Sequence, residues 1–256
     1  MYPQEEEVME STLDMAVHFM RESSSLVALT GAGISTDSGI PDFRSPGGIW
    51  STYPAVLGDY RYFEKHPEEF LKLGRELLPV LLGAQPNKGH RALKELEDMG
   101  YLKAVITQNI DGLHQAAGSR TVIEIHGTYK TATCTKCGKK FSIEEVISFL
   151  PRMPLCPDCS NIIKPDVVMF GESLPREAFL KARTLAETAD VMLVAGSSLE
   201  VYPASHLVLV TKSNHGRIII INDTKTALDK VADLQLRENL SVCLPHIVEK
   251  LKEGPV

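Results

Sequence analysis

Five short apolar runs punctuate the chain and limit what it can fold into: Leu26–Leu29, Ala104–Thr107, Val122–Ile125, Val191–Ala195 and Arg217–Ile221. Each has the length and β-branched content of a buried strand, and helical stretches separate several of them. Lys88 to Met99 reads as a helix ended by Gly100, and Pro175 to Thr188 as another with proline in its first turn. Residues 5–22 read as an amphipathic helix with Val8, Leu13, Val17 and Met20 near one face. Strands alternating with helices predict an α/β fold, a Rossmann-like parallel sheet with helices on both faces. Ligands on such sheets bind beyond the carboxyl ends of the strands, so the residues that follow each run are where chemistry is expected.

Two segments interrupt the alternation. Residues 45–87 hold Gly47-Gly48, Tyr53-Pro54, a helix around Pro67 to Leu78 and Gln85-Pro86-Asn87, a helical insertion with mobile loops at both ends. Residues 130–164 hold a short helix near Ser142 to Leu150 and two C-x-x-C pairs, Cys134/Cys137 and Cys156/Cys159, with 18 residues between the pairs. That arrangement reads as a zinc ribbon binding one structural ion, since a closed four-cysteine site has no open position for water. Redox C-x-x-C pairs would need a thioredoxin-like unit, which the pattern lacks. The expected organisation is a Rossmann-like domain from 1–44, 88–129 and 165–256, with 45–87 and 130–164 forming a small domain that walls the crevice. The fifth cysteine, Cys243, sits between Val242 and Leu244 and reads as a buried thiol.

Composition narrows the class. The chain has 256 residues, 43% hydrophobic and 23% charged, enough for a full core in a soluble globular protein. No apolar stretch approaches a membrane span, and the acidic start MYPQEEEVME is unlike a secretory signal, so a cytoplasmic protein is expected. A net charge of −6 disfavours direct nucleic-acid binding and mildly suits basic partners such as lysine-bearing peptides.

The strand ends carry the candidate site. After the first run, Gly31-Ala32-Gly33 is a tight turn that lets backbone approach a phosphate, yet Thr36 stands where a dehydrogenase loop would place its third glycine. After the second come Gln108, Asn109, Ile110 and Asp111. Their amides suit ribose hydroxyls or a carboxamide, though an Asn/Asp-rich turn capping the next helix explains one or two of them. His126 follows the third. A lone histidine is more often structural, but this one shares an edge with other polar strand ends and suits a general base. Gly196-Ser197-Ser198 and Asn222-Asp223 follow the fourth and fifth. Five such ends argue for a ligand the length of a dinucleotide.

Taken together, GAGIS, SGIPDFR, TQNIDGLH, IHG, the paired C-x-x-C, KPDVVMFGE and GSSLEVYPA closely resemble the sirtuins, the NAD-dependent protein lysine deacylases, from about Leu26 to Leu251. The resemblance is to the compact bacterial and archaeal members. It implies NAD as cosubstrate, bound by Gly31, Ala32, Gly33, Thr36, Asp42, Phe43, Arg44, Gln108, Asn109, Ile110, Asp111, Gly196, Ser197, Ser198, Asn222, Asp223 and Cys243. The stretch through Phe43-Arg44 becomes a flexible cofactor loop in place of a long first helix. The reaction implied is removal of acetyl from protein lysine, giving nicotinamide and O-acetyl-ADP-ribose, with His126 as base and Asn109 orienting ribose or water. The acyl-lysine peptide would add as a strand against Val167, Val168, Phe170, Gly171 and Glu172, and against Glu200 and Val201, with Phe43 and His126 also lining the acyl tunnel. A monomer is expected, its partners acetyl-lysine proteins or peptides.

Several positions depart from the family pattern. Lys164 replaces a more usual Arg, with little effect expected, and Met169 replaces an aromatic residue. Glu200 stands where an apolar residue or Thr is common and would favour basic residues beside the target lysine. The stretch Gly74-Arg75-Glu76-Leu77 lacks the Tyr-x-x-Arg pair of the branch that removes acidic acyl groups. Two other readings remain at this point: a mono-ADP-ribosyltransferase on the same scaffold, and an NAD- or ADP-ribose-sensing module without turnover.

Overall fold

The structure is a computed structural model that describes residues 3–254, with side chains from residue 9. Among the described residues nine strands form: β1 (Leu26–Thr30), β2 (Leu102–Thr107), β3 (Val122–Glu124), β4 (Gly127–Cys134), β5 (Lys140–Ser142), β6 (Ile163–Val167), β7 (Val191–Ala195), β8 (Arg217–Ile221) and β9 (Leu234–Leu236). The helices are α1 (Pro3–Glu22), α2 (Ile49–Thr52), α3 (Tyr60–Lys65), α4 (Pro67–Gly83), α5 (Lys88–Asp98), α6 (Leu113–Ala116), α7 (Ile143–Phe149), α8 (Arg176–Thr188), α9 (His206–Ser213) and α10 (Leu240–Lys252). Six strands make one sheet in the order β3-β2-β1-β7-β8-β9, all parallel, and three make a second, antiparallel sheet in the order β5-β4-β6.

The apolar runs are continuous because both faces of the large sheet are covered. Leu26, Ala28, Ile219 and Ile221 pack on one side with Leu13, Val17 and Met20 of α1 and with α5 and α10. Val27, Leu29, Ile218 and Ile220 pack on the other with Ala182, Ala186, Leu207 and Val208 of α8 and α9. The side chain of Val8, expected on the buried face of α1, lies outside the described residues.

The five expected strands form within a residue or two of their predicted limits. Pro175 precedes α8 as its N-cap rather than opening its first turn. The loop 85–87, read as mobile, is pinned: Asn87 caps α5 by accepting from Gly89 and His90, and its Nδ2 donates to the carbonyl of Ile34 at 2.7 Å. Gly100 ends that helix in the left-handed region, as its position predicts.

Two features position the site. The order 3-2-1 followed by 7-8 reverses direction at β1, so the crevice lies beyond the carboxyl ends of β1 and β7. The small sheet then hangs from this edge. β3 ends at Glu124, two residues of turn follow, and β4 leaves in a new direction with Gly127 paired to Val167 of β6. Gly127 sits at φ +74°, and a Cβ there would lie 1.9 Å from the carbonyl oxygen of Asp166, so only glycine admits this approach.

Candidate active site

At the reversal point the first and fourth strand ends are packed back to back. A Cβ on Gly31 would sit 2.7 Å from the carbonyl oxygen of Gly196, and one on Gly33 2.9 Å from its Cα. Gly31 donates its N–H to Ala195 at 3.2 Å and Gly33 to Gly196 at 2.9 Å. These glycines are therefore demanded by protein packing as much as by any phosphate. Ala32 opens the 3-10 turn Ala32–Ser38, so its N–H has no partner within the turn. Thr36 closes the turn by donating Oγ1 to the carbonyl of Gly33 at 3.0 Å.

Behind this loop lies a buried polar network. Asn109 donates Nδ2 to the carbonyl of Gly31 and to Ser35 Oγ, both at 3.0 Å. Ser35 Oγ donates to Asp111 Oδ2 at 2.7 Å, while Asp111 Oδ1 accepts the N–H of Leu113 at 2.9 Å. Asp111 thus forms the turn that leads into α6, whose cap is Gly112, and is also a member of the network. Gln108 donates Nε2 to Ser197 Oγ at 2.9 Å, joining the ends of β2 and β7. Ile110 is half-buried beside them, and its carbonyl accepts the N–H of Tyr129 at 3.3 Å.

Three partners in this network escape a motif-level reading: Ser35, His90 and His114. The rings of His90 and His114 are 4.9 Å apart, and Thr30 Oγ1 lies 2.9 Å from Nε2 of His114. Burial holds His90 down to about 4, against a smaller upward pull from Asp111. Burial, helped by His90, holds His114 down to about 3. Both imidazoles are neutral near pH 7. Ser35 and His114 lie inside quoted motifs without an assigned role there, and His90 lies outside them in α5.

His126 occupies the turn between the two sheets. Its Nδ1 lies 3.0 Å from the carbonyl of Gln108, which can only accept, so Nδ1 carries the proton and Nε2 is left with its lone pair. Burial pushes its pKa below the ordinary imidazole value, only partly offset by that bond. The carbonyl of His126 accepts the N–H of Val168 at 2.9 Å, bringing the segment after β6 alongside.

That segment is held on two sides. Both backbone groups of Phe170 are taken by the helical insertion: its N–H donates to Gly58 at 2.8 Å and its carbonyl accepts from Tyr60 at 3.0 Å. Its ring is exposed and lies over Gly58 with Trp50. Met169 is buried, Gly171 exposed, and Val167 and Val168 half-buried. The carboxylate of Glu172 turns back onto the N–H of Met169 at 2.8 Å and its own N–H donates to the Met169 carbonyl at 3.1 Å, so both serve the loop.

Phe43 is exposed and stacks on Trp50 with centroids 5.4 Å apart, a partner the sequence motifs do not single out. The carboxylate of Asp42 accepts from the N–H groups of Arg44 and Ser45, shaping its own loop. Arg44 Nε pairs with Glu200 Oε2 at 2.9 Å across the mouth. The sequence leaves Glu200 open to a basic substrate residue; in the structure Arg44 already occupies it. Val201 beside it is half-buried. Arg75 donates to the carbonyl of Pro151 and Glu76 accepts from Tyr53, so both side chains are tied to the small domain's own groups.

Towards β8, Ser198 accepts the N–H of Ala227 at 2.9 Å on its carbonyl, and Asn222 donates Nδ2 to Thr224 at 2.8 Å. Asp223 is exposed at the surface, yet partial burial of its carboxyl, with Asp37 and Glu238 nearby, raises its pKa. Cys243 lies in the first turns of α10 with its thiol inside the core, where burial pushes it up to about 12. From β3 to β8 the edge spans four strand intervals, roughly 19 Å at the usual spacing.

The four paired cysteines converge. Sγ of Cys134 is 3.4 Å from that of Cys159, Sγ of Cys137 is 3.6 Å from that of Cys156, and all four lie within 4.8 Å of one another. Sulfurs about 2.3 Å from a tetrahedral zinc lie about 3.8 Å apart, so the set fits that ion. Cys134 ends β4, which starts at Gly127, so it lies roughly 23 Å along the strand and the metal stays away from His126.

Comparison with known proteins agrees with this geometry. The model of the Sir2 family matches residues 31–203. The NAD-dependent protein deacetylase of Thermotoga maritima is 46% identical over 233 residues, covering 90% of this chain and 95% of that protein. A solved structure of Sir2 with a p53 peptide and NAD+ superposes with a TM-score of 0.89 at 42% identity, covering 94% of this chain and 99% of that one. A Sir2 histidine-to-alanine variant with a deacetylated p53 peptide and 3′-O-acetyl-ADP-ribose gives 0.88 at 42% identity, covering 94% and 98%. Among the described residues no helix is long and apolar enough to cross a membrane.

Proposed function

This chain belongs to the Sir2 family, and from that premise we propose that His126 is its general base and that the strand ends from Gly31 to Asp223 hold its NAD. The protein is an NAD-dependent protein deacetylase, turning acetyl-lysine and NAD into free lysine, nicotinamide and O-acetyl-ADP-ribose. NAD, when bound, supplies a glycosidic bond that releases nicotinamide and an ADP-ribose that carries the acetyl group away.

The donor set suits that ligand. Asn109 has committed both amide hydrogens to Gly31 and Ser35, so its Oδ1 is the atom that can orient a hydroxyl or a water. Asp111 is fixed by Ser35 and Leu113 and can accept from a carboxamide N–H, with Ile110 as an apolar wall. Ala32, Gly33 and Thr36 line one end of the pyrophosphate region, and Gln108, Gly196, Ser197 and Ser198 the other. Asn222, Asp223 and the start of α10 at Cys243 receive the far nucleoside, Cys243 through its backbone because its thiol faces the core. Asp42, Phe43 and Arg44 form the loop that covers it.

The observation that carries the catalytic assignment is the bond from His126 Nδ1 to Gln108, which leaves Nε2 as proton acceptor at neutral pH. The acyl-lysine lies against Val167, Val168, Phe170, Gly171 and the backbone of Glu172 on one side, and against Val201 beside Glu200 on the other, by strand addition. Zinc is held by Cys134, Cys137, Cys156 and Cys159 and is structural, because a closed set of four thiolates leaves no position for water.

The domain limits at 44/45, 87/88, 129/130 and 164/165 belong to the same reading, with β4 and β6 running across the last two as connections. A cytoplasmic monomer is the expected setting: all five cysteines are free thiols, four of them grouped as ligands, and the charge of −6 disfavours nucleic acid. Mass spectrometry of an acetyl-lysine peptide with and without NAD tests the function. NAD-dependent loss of acetyl that His126→Ala abolishes is the expected result. Full turnover by that variant would remove His126 from the base role.

A further inference from the structure

Lys164 is 9% exposed and takes no part in the chemistry above. Its Nζ lies 2.7 Å from the carbonyl of Val167, 3.4 Å from that of Pro165 and 2.9 Å from Oε2 of Glu172, with the ring of Tyr60 5.9 Å away. The same Glu172 oxygen accepts the N–H of Met169. A lysine is rarely buried unless it is paired, because its ammonium is strongly hydrated. Here the ammonium has exchanged water for two carbonyls and a carboxylate, all from the segment 165–172.

We propose that the Lys164–Glu172 pair is a positioning device that sets the shape of the peptide-binding loop before substrate arrives. It rests on the deacetylase reading and adds a residue outside the binding surface to it. Three tethers hold the loop. Val168 is tied to His126, Phe170 is tied to Gly58 and Tyr60, and Met169 between them is tied through Glu172 to Lys164. The first two fix the loop's flanks to different domains. The third fixes its floor, and it turns the Glu172 carboxylate inward so that the loop backbone faces the added strand. Without the ammonium, a half-buried carboxylate has no charged partner and swings to water, releasing the Met169 amide.

Steady-state kinetics with an acetyl-lysine peptide test this, varying peptide at saturating NAD and NAD at saturating peptide, with thermal melts alongside. The wild-type protein must first remove acetyl in the presence of NAD; if it does not, the deacetylase reading fails whatever Lys164 does. Lys164→Met keeps the stem and its packing but removes the charge, and the peptide KM is expected to rise about tenfold while the KM for NAD changes by less than about twofold. Lys164→Arg restores the peptide KM to within about threefold of wild type, since Arg keeps the charge and its hydrogen bonds. Glu172→Gln repeats the peptide defect of Lys164→Met. A wild-type peptide KM in Lys164→Met, or equal rises for peptide and NAD, overturns the proposal. If Lys164→Met does not fold, Glu172→Gln decides by the same split, and failure of both to fold makes the pair a folding element and overturns it as well.

Discussion

The carbonyl of His126 holds the N–H of Val168 at 2.9 Å, so the proposed base and the proposed peptide-binding loop share one hydrogen bond. Gly127 makes that bond possible by bringing the start of β4 against Asp166 and Val167. A side chain there has nowhere to go, because its neighbour is backbone. Gly127→Ala is expected to cost more than about 2 kcal/mol of stability and to lower kcat/KM in the folded fraction. Chemical denaturation paired with initial rates checks this, and an alanine variant with native stability and native rates would refute the close approach.

The pH profile follows from His126. A general base works when neutral, and burial has lowered its pKa, so activity falls only as pH drops through a value below the ordinary 6.5. With His126 as the proposed base, kcat/KM is expected to be flat around pH 7, with its acid limb inflecting below 6.5. An inflection above that ordinary value would contradict a buried base.

The same burial makes the fold acid-sensitive, through His90 and His114 as well as His126. Above the ordinary value of 6.5 His90 and His114 are neutral in either state and add no slope. Below it the unfolded chain takes up protons that the folded chain refuses until pH nears about 4 for His90 and about 3 for His114. Stability therefore falls with pH across that window. Replacing His114 by Gln removes one of these protons, so the loss between about pH 6 and about pH 4.5 is expected to be shallower by about 1.4 kcal/mol per pH unit. Urea midpoints for the two proteins at both pH values provide the comparison.

Zinc should behave as part of the fold. Elemental analysis is expected to find one zinc per chain, and Cys137→Ser to lose it together with thermal stability. The deacetylation rate of whatever fraction stays folded should change little. A metal-free variant that is fully stable, or a folded one with no turnover, would each contradict a structural ion remote from the base.

The exposed pair of Arg44 and Glu200 decides less than its position suggests. Both side chains are about half exposed, so the pair contributes at most about 1 kcal/mol and weakens with salt. Glu200→Gln is expected to leave the melting temperature within a few degrees. Its effect on basic peptides should be small at about 0.5 M salt and larger at low salt. Equal peptide selectivity in wild type and variant at low salt would exclude Glu200 from substrate choice.

Much of this was legible in the chain because the parallel sheet writes its strands as continuous apolar runs. Val191–Ala195 and Arg217–Ile221 match their strands residue for residue, and the polar groups that follow each run gather on one edge. The three-stranded sheet was not legible. β4 and β5 carry Thr and Lys on a thin core of Ala132, Cys134, Phe141 and Ile163. In the large sheet β9 was missed as well, being only three residues long. Within the site, residue identity located the groups but not their partners. Nothing in one sequence says that both amide hydrogens of Asn109 are spent on the neighbouring loop, that Glu172 faces inward, or that Arg44 sits on Glu200. Asn109 meets Gly31, and Arg44 meets Glu200, only once the sheet has brought distant segments to one edge. Lys164 and Glu172 meet because the loop between them folds back on its own strand.

β4 begins one residue after His126 and ends at Cys134. The path from the proposed base to a metal ligand thus runs along one strand, paired to β6 at Gly127 and to β5 and β6 over 131–134. Oxidising or stripping the distant thiolates removes an anchor rather than a reactant. The catalytic turn keeps its alignment for as long as those neighbours hold the strand, then loses it all at once when they part. Redox damage to the zinc knot would therefore be read as a shortened lifetime of the working enzyme, with each surviving molecule turning over at its full speed.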